Sequence, residues 1–61
     1  MNDKINARFE LWQHGFCEAA TEGPQGFAYK EIMHYAMVYG QDGPVTIYRC
    51  DDKGNRTEVI P

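Results

Sequence analysis

A strand-turn-strand signal on each side of a single helical stripe constrains this chain more than any other feature in it. Residues 7–13 alternate, with Phe9 and Leu11 on one face and Arg8, Glu10 and Trp12 on the other. That period of two marks a half-buried strand. His14-Gly15 suits a tight turn with positive φ, and residues 16–20 return as a second strand. Residues 45–50 repeat the alternation, with Val45 and Ile47 opposed to Thr46, Tyr48 and Cys50. The turn Asp51-Asp52-Lys53-Gly54-Asn55 leads into a short closing strand, 56–60. Residues 4–20 could also read as a helix, because Ile5, Phe9, Trp12 and Phe16 share helical spacings. A glycine inside a helix costs about 1 kcal/mol relative to alanine, so Gly15 favours the hairpin.

Between the hairpins, residues 27–39 carry the helical period. Ala28, Ile32, Tyr35, Ala36 and Tyr39 form one stripe, and Tyr29, Met33 and Met37 form a second beside it. Residues 22–26, with two glycines and a proline, are expected to separate strand from helix. Gly40 is placed to close the helix in a left-handed conformation. Pro44 is tolerated only at the start of a strand.

The order β-β-α-β-β predicts an α+β fold, one antiparallel sheet with one helix packed on one face. Residues 1–61 form one small domain, with 1–6 expected as a flexible arm. The expected core is Phe9, Leu11, Cys17, Ala19, Ala28, Ile32, Tyr35, Ala36, Tyr39, Val45, Ile47 and Val59. A single helix leaves the other sheet face uncovered. Trp12, Thr46 and Tyr48 point there, and an aromatic face of that kind is a candidate contact surface.

Composition narrows what such a face can meet. The formal net charge is -3, from nine acidic and six basic residues. Binders of the phosphate backbone concentrate lysine and arginine, so direct nucleic-acid binding is not expected. A basic partner is allowed, including a protein that itself binds nucleic acid. No apolar run approaches the roughly 20 residues of a membrane span, and no signal peptide is visible. The chain therefore reads as a complete small protein of a host cell cytosol. Cys17 and Cys50 are expected there as free, half-buried thiols rather than a disulfide.

Candidate chemistry is sparse. His14, Cys17, His34 and Cys50 have the right ligand types for zinc, but only His14 and Cys17 have a close spacing, so no metal or cofactor is expected. His14 and Cys17 lack a third group to orient a nucleophilic pair, and no enzyme is expected. Asp51-Asp52 reads as a solvated turn, and Met33 with Met37 as peripheral core. The residues expected to touch a partner are Trp12, Tyr48, Glu10 and Asp52, because a carboxylate beside aromatic rings can dock a partner's arginine or lysine.

The stretch Ala28-Tyr29-Lys30-Glu31-Ile32-Met33-His34-Tyr35-Ala36-Met37-Val38-Tyr39-Gly40, followed by Gly43-Pro44-Val45-Thr46-Ile47-Tyr48, resembles the helix-then-strand half of small phage proteins. Some type I anti-CRISPR proteins are among them. The resemblance covers the last two thirds of the chain in organisation, and the leading hairpin here is shorter. It implies a non-enzymatic phage or mobile-element protein that binds a host protein or nucleoprotein complex, such as a type I CRISPR effector. Inhibition would come from occluding a surface meant for nucleic acid. The alternative is a small structural or assembly protein acting as a homodimer through open sheet faces or edge strands.

Overall fold

The computed structural model describes residues 5–59. The elements run β1 (Asn6–Gln13), β2 (Phe16–Pro24), α1 (Gln25–Tyr39), a 3-10 turn (Gly40–Asp42), β3 (Thr46–Cys50) and β4 (Arg56–Val59). The sheet is wholly antiparallel, with strand order β2-β1-β3-β4. The expected α+β architecture is therefore the observed one, and residues 4–20 form no helix over their described part.

Both hairpins close as their turn residues dictate. His14 (φ 55°) and Gly15 (φ 81°) are both left-handed between the paired residues Gln13 and Phe16. Two consecutive positive φ values define the primed turn whose twist matches that of the strands. In the second hairpin the Asp51 carboxylate accepts hydrogen bonds from the backbone N–H of Lys53 (2.9 Å) and Asn55 (2.8 Å). A side chain thus substitutes for turn backbone.

The core lies between β1 and α1. Ala7, Phe9, Leu11, Ala28, Ile32 and Ile47 are buried, with Ala19, Met33, Ala36, Tyr39, Val45 and Val59 packed around them. Two polar side chains are anchored in the same layer. Gln13 Nε2 donates to the carbonyls of Tyr39 (2.9 Å) and Gly43 (3.1 Å), and Thr21 Oγ1 donates to the Ala28 carbonyl (2.8 Å).

Several expectations need correction. The break at 22–26 is absent: β2 runs to Pro24 and α1 begins at Gln25, whose N–H donates to the Ile5 carbonyl at 2.8 Å. The cause is pairing, since Asn6, Ala7 and Arg8 hold Pro24, Gly23 and Glu22 in register. Asn6 therefore belongs to β1 and not to an arm; residues 1–4 of the expected arm, and position 60 of the closing strand, lie outside the described residues. Gly40 is right-handed (φ -61°), and the chain reverses instead at Gly43 (φ 146°).

Cys17 and Tyr35 are exposed rather than core. For Cys17 the reason is a β-bulge. Leu11 pairs with Ala19 but Trp12 pairs with Cys17, so Glu18 is an extra residue. One inserted residue reverses the faces of what precedes it, and Cys17 moves to the side opposite Ala19.

Candidate functional site: the uncovered sheet face

The face away from α1 is built by alternation along each strand. β1 contributes Arg8, Glu10 and Trp12; β3 contributes Thr46, Tyr48 and Cys50 in register with them; β4 contributes Arg56 opposite Cys50 and Glu58 opposite Tyr48. On the other side, β2 adds Cys17, Ala20 and Glu22.

Glu10 is the hub of this face and only 7% exposed. Its Oε1 accepts from Trp12 Nε1 (3.0 Å) and Arg56 Nε (2.9 Å), and its Oε2 accepts from Arg8 Nη2 (3.2 Å). The Trp12 hydrogen bond holds the Glu10 carboxyl below its ordinary range; burial opposes this, and Arg56 and then Arg8 reinforce it. Trp12 and Tyr48 meet edge to face, with ring centroids 6.5 Å apart and planes at 87°. That is the favoured geometry for a ring pair. The Arg56 guanidinium lies over the Trp12 ring at 5.6 Å.

Three of the four expected contact residues, Glu10, Trp12 and Tyr48, are therefore brought together. Asp52 stands apart in the β3–β4 turn. It shares a polar cleft of about 260 Å³ with Arg8, Glu22, Cys50 and Asp51, at the end of the face where β1 begins. The cation expected from a partner beside Glu10 and Trp12 is already present as the chain's own Arg56. The sequence carried a signal for it, since Arg56 opens the strand after the turn, but which strand would lie over Trp12 depends on strand order. With Arg56 in place, the exposed carboxylates are those at the rim: Glu22, which Arg8 approaches at 3.7 Å, Asp51, which caps its own turn, and Glu58 and Asp52.

Both cysteines are free and both lie on this face, Cys17 exposed and Cys50 half-buried. Burial and then the negative charge of Glu10 push the Cys50 thiol up. Cys17 pairs with Trp12 on β2 and Cys50 with Arg8 on β3, with β1 between them. Two strand spacings and four residues of rise put them roughly 16 Å apart, well beyond the about 7 Å that a disulfide spans. The candidate zinc ligands are likewise dispersed, with His14 in the first turn and His34 on α1, on the other side of the sheet. Among the described residues no three metal-ligating side chains converge.

Most of the large apolar side chains left exposed lie elsewhere. Of the seven large apolar side chains exposed among the described residues, Phe27, Tyr29, Tyr35, Met37 and Val38 all lie on α1. Met33 is half-buried, whereas Met37 is 75% exposed, so the second helical stripe runs from core to solvent. Among the described residues no helix is long and apolar enough to cross a membrane. The chain matches no protein-family model, no curated protein and no solved structure.

Proposed function

We propose that this chain is a non-enzymatic binding protein of a phage or mobile element, acting in the host cytosol. It would block a host protein or nucleoprotein complex by covering a basic surface that otherwise takes nucleic acid. A type I CRISPR effector is the target to test first. One observation carries the reading: Trp12, hydrogen-bonded to Glu10, meets Tyr48 edge to face on an uncovered sheet face rimmed by exposed carboxylates. Such an arrangement offers little conformational entropy to lose on binding and a charge opposite to that of a nucleic-acid site.

Edge pairing between copies, the alternative use of the sheet, has less support. The outer strand β2 carries the Glu18 bulge, Glu22 and a terminal Pro24, all devices that blunt an edge.

Purified chain should form a stable complex with a type I effector and compete with its DNA. Trp12→Ala and Tyr48→Ala should each weaken that complex about tenfold or more, as central aromatic contacts do. Absence of a complex with any effector or other host nucleoprotein overturns the proposal.

A further inference from the structure

The open sheet face already holds one guanidinium, and the geometry is that of a recognition site. Arg56 Nε donates to Glu10 Oε1 at 2.9 Å, and the Arg56 guanidinium lies over the Trp12 ring, 5.6 Å from its centre. Trp12 Nε1 donates to the same oxygen at 3.0 Å, while Arg8 Nη2 takes Oε2 at 3.2 Å. Tyr48 stands at a right angle to the indole. A carboxylate oxygen beside an aromatic face suits a planar guanidinium, which stacks and donates at once, better than it suits an ammonium.

The acceptor groups and the cation have different footing in the fold. Glu10 and Trp12 sit on β1 and Tyr48 on β3, the two central strands, each paired on both sides. The Glu10 side chain is 9% exposed. Arg56 comes from β4, a four-residue edge strand, and its side chain is 50% exposed. An ion pair this open and a single cation–ring contact together favour the closed arrangement only about three- to thirtyfold. Arg56 can swing into water while its backbone stays in the β4 ladder. A second guanidinium entering in its place restores the charge balance around Glu10. Glu58, exposed on the same face of β4 two residues from Arg56, favours the approach of a cation.

We infer that Glu10, Trp12 and Tyr48 form a binding site for an arginine side chain of the partner, which Arg56 fills in the free chain and vacates on binding. The inference rests on the reading of this face as a docking surface for a basic protein, and it names the group that the face grips. Arg56 then sets a threshold. The apparent affinity for an incoming arginine is reduced by the fraction of time that the site stands open. A lone arginine is therefore held weakly. One carried on a surface that touches the rest of the face meets the site at high effective concentration.

Trp12 is the single tryptophan of the chain, so its fluorescence reports the site directly. At constant ionic strength, Arg56→Ala should respond saturably to millimolar N-acetylarginine amide, and about tenfold more weakly to N-acetyllysine amide bearing a free side-chain amine. The unmodified chain should need about three- to thirtyfold more of the arginine compound. Adding Glu10→Gln to Arg56→Ala should abolish the response. Circular dichroism checks that the variants fold, and should Arg56→Ala not fold, the saturable response of the unmodified chain decides alone. Four results overturn the inference: no saturable response in either chain, equal response to the two compounds, Arg56→Ala binding no tighter than the unmodified chain, or a response that survives Glu10→Gln. No partner enters this titration, so it succeeds or fails independently of any complex with an effector.

Discussion

Glu10 on β1 and Arg56 on β4 form a 2.9 Å ion pair although β3 lies between their strands. Arg56 reaches over one strand, roughly 10 Å from β4 to β1, which its long stem can span while covering the Trp12 ring. The pair ties the last strand to the first and fixes Trp12 in its rotamer. β4 is only four residues long and pairs along one edge, so this side-chain tether holds it beyond its ladder.

Removing Glu10 should loosen the whole face. Glu10→Ala leaves the indole N–H without its acceptor and Arg56 without its partner, while Arg8 keeps only its longer pair with Glu22 at 3.7 Å. A loss of about 1–2 kcal/mol is expected by urea denaturation, the half-exposed arginines being partly screened. Glu10→Gln keeps an acceptor for Trp12 and should lose less. The folded-state carboxyl lies below its ordinary value of 4.5. Its contribution is therefore complete above that pH and fades as pH falls through the folded value. Stability should drop on acidification, and Glu10→Gln should flatten that drop. A residual slope should persist because the backbone N–H of Asn55, then that of Lys53, also hold Asp51 low.

His14 is the only described non-glycine residue with positive φ. Asparagine tolerates that conformation better, and Asn-Gly is the preferred pair for this turn. His14→Asn should raise stability by about 0.5–1 kcal/mol, seen as a higher urea midpoint with an unchanged slope. A lower midpoint would mean that the imidazole contributes more than its backbone costs.

Gln13 joins the end of β1 to the end of α1. It is 5% exposed, and its amide serves two carbonyls that α1 and the following turn leave open. Gln13→Leu should cost about 1–2 kcal/mol, and Gln13→Glu more, because a carboxylate cannot donate to either carbonyl. Hydrogen exchange should quicken first at Gly40 and Gly43, whose N–H groups bond within that corner.

The thiols should separate by reactivity. Cys17 is exposed, whereas burial and the Glu10 charge disfavour the Cys50 thiolate. At pH 7.5 a maleimide should label Cys17 first, and Glu10→Gln should speed labelling of Cys50. Equal rates at both sites would contradict the placement of Cys50 beside Glu10.

The sequence by itself determined the elements and most of their faces. Alternation at Arg8, Glu10 and Trp12 and at Thr46, Tyr48 and Cys50 is a local property, so it was legible without any knowledge of packing. The positive-φ turn at His14-Gly15 was legible for the same reason. Tertiary structure alone decided what depends on pairing. Strand order brought Arg56 over Trp12 and kept Asp52 out of that cluster. Register placed the Glu18 bulge and so reversed Cys17, and it drew β2 on to Pro24. The two hairpins around one helix also suggested that the bare surface would be the sheet. Packing showed a second one: the helix is narrower than its own apolar sequence, so Phe27, Met37 and Val38 remain outside, because one sheet can cover only one side of a helix.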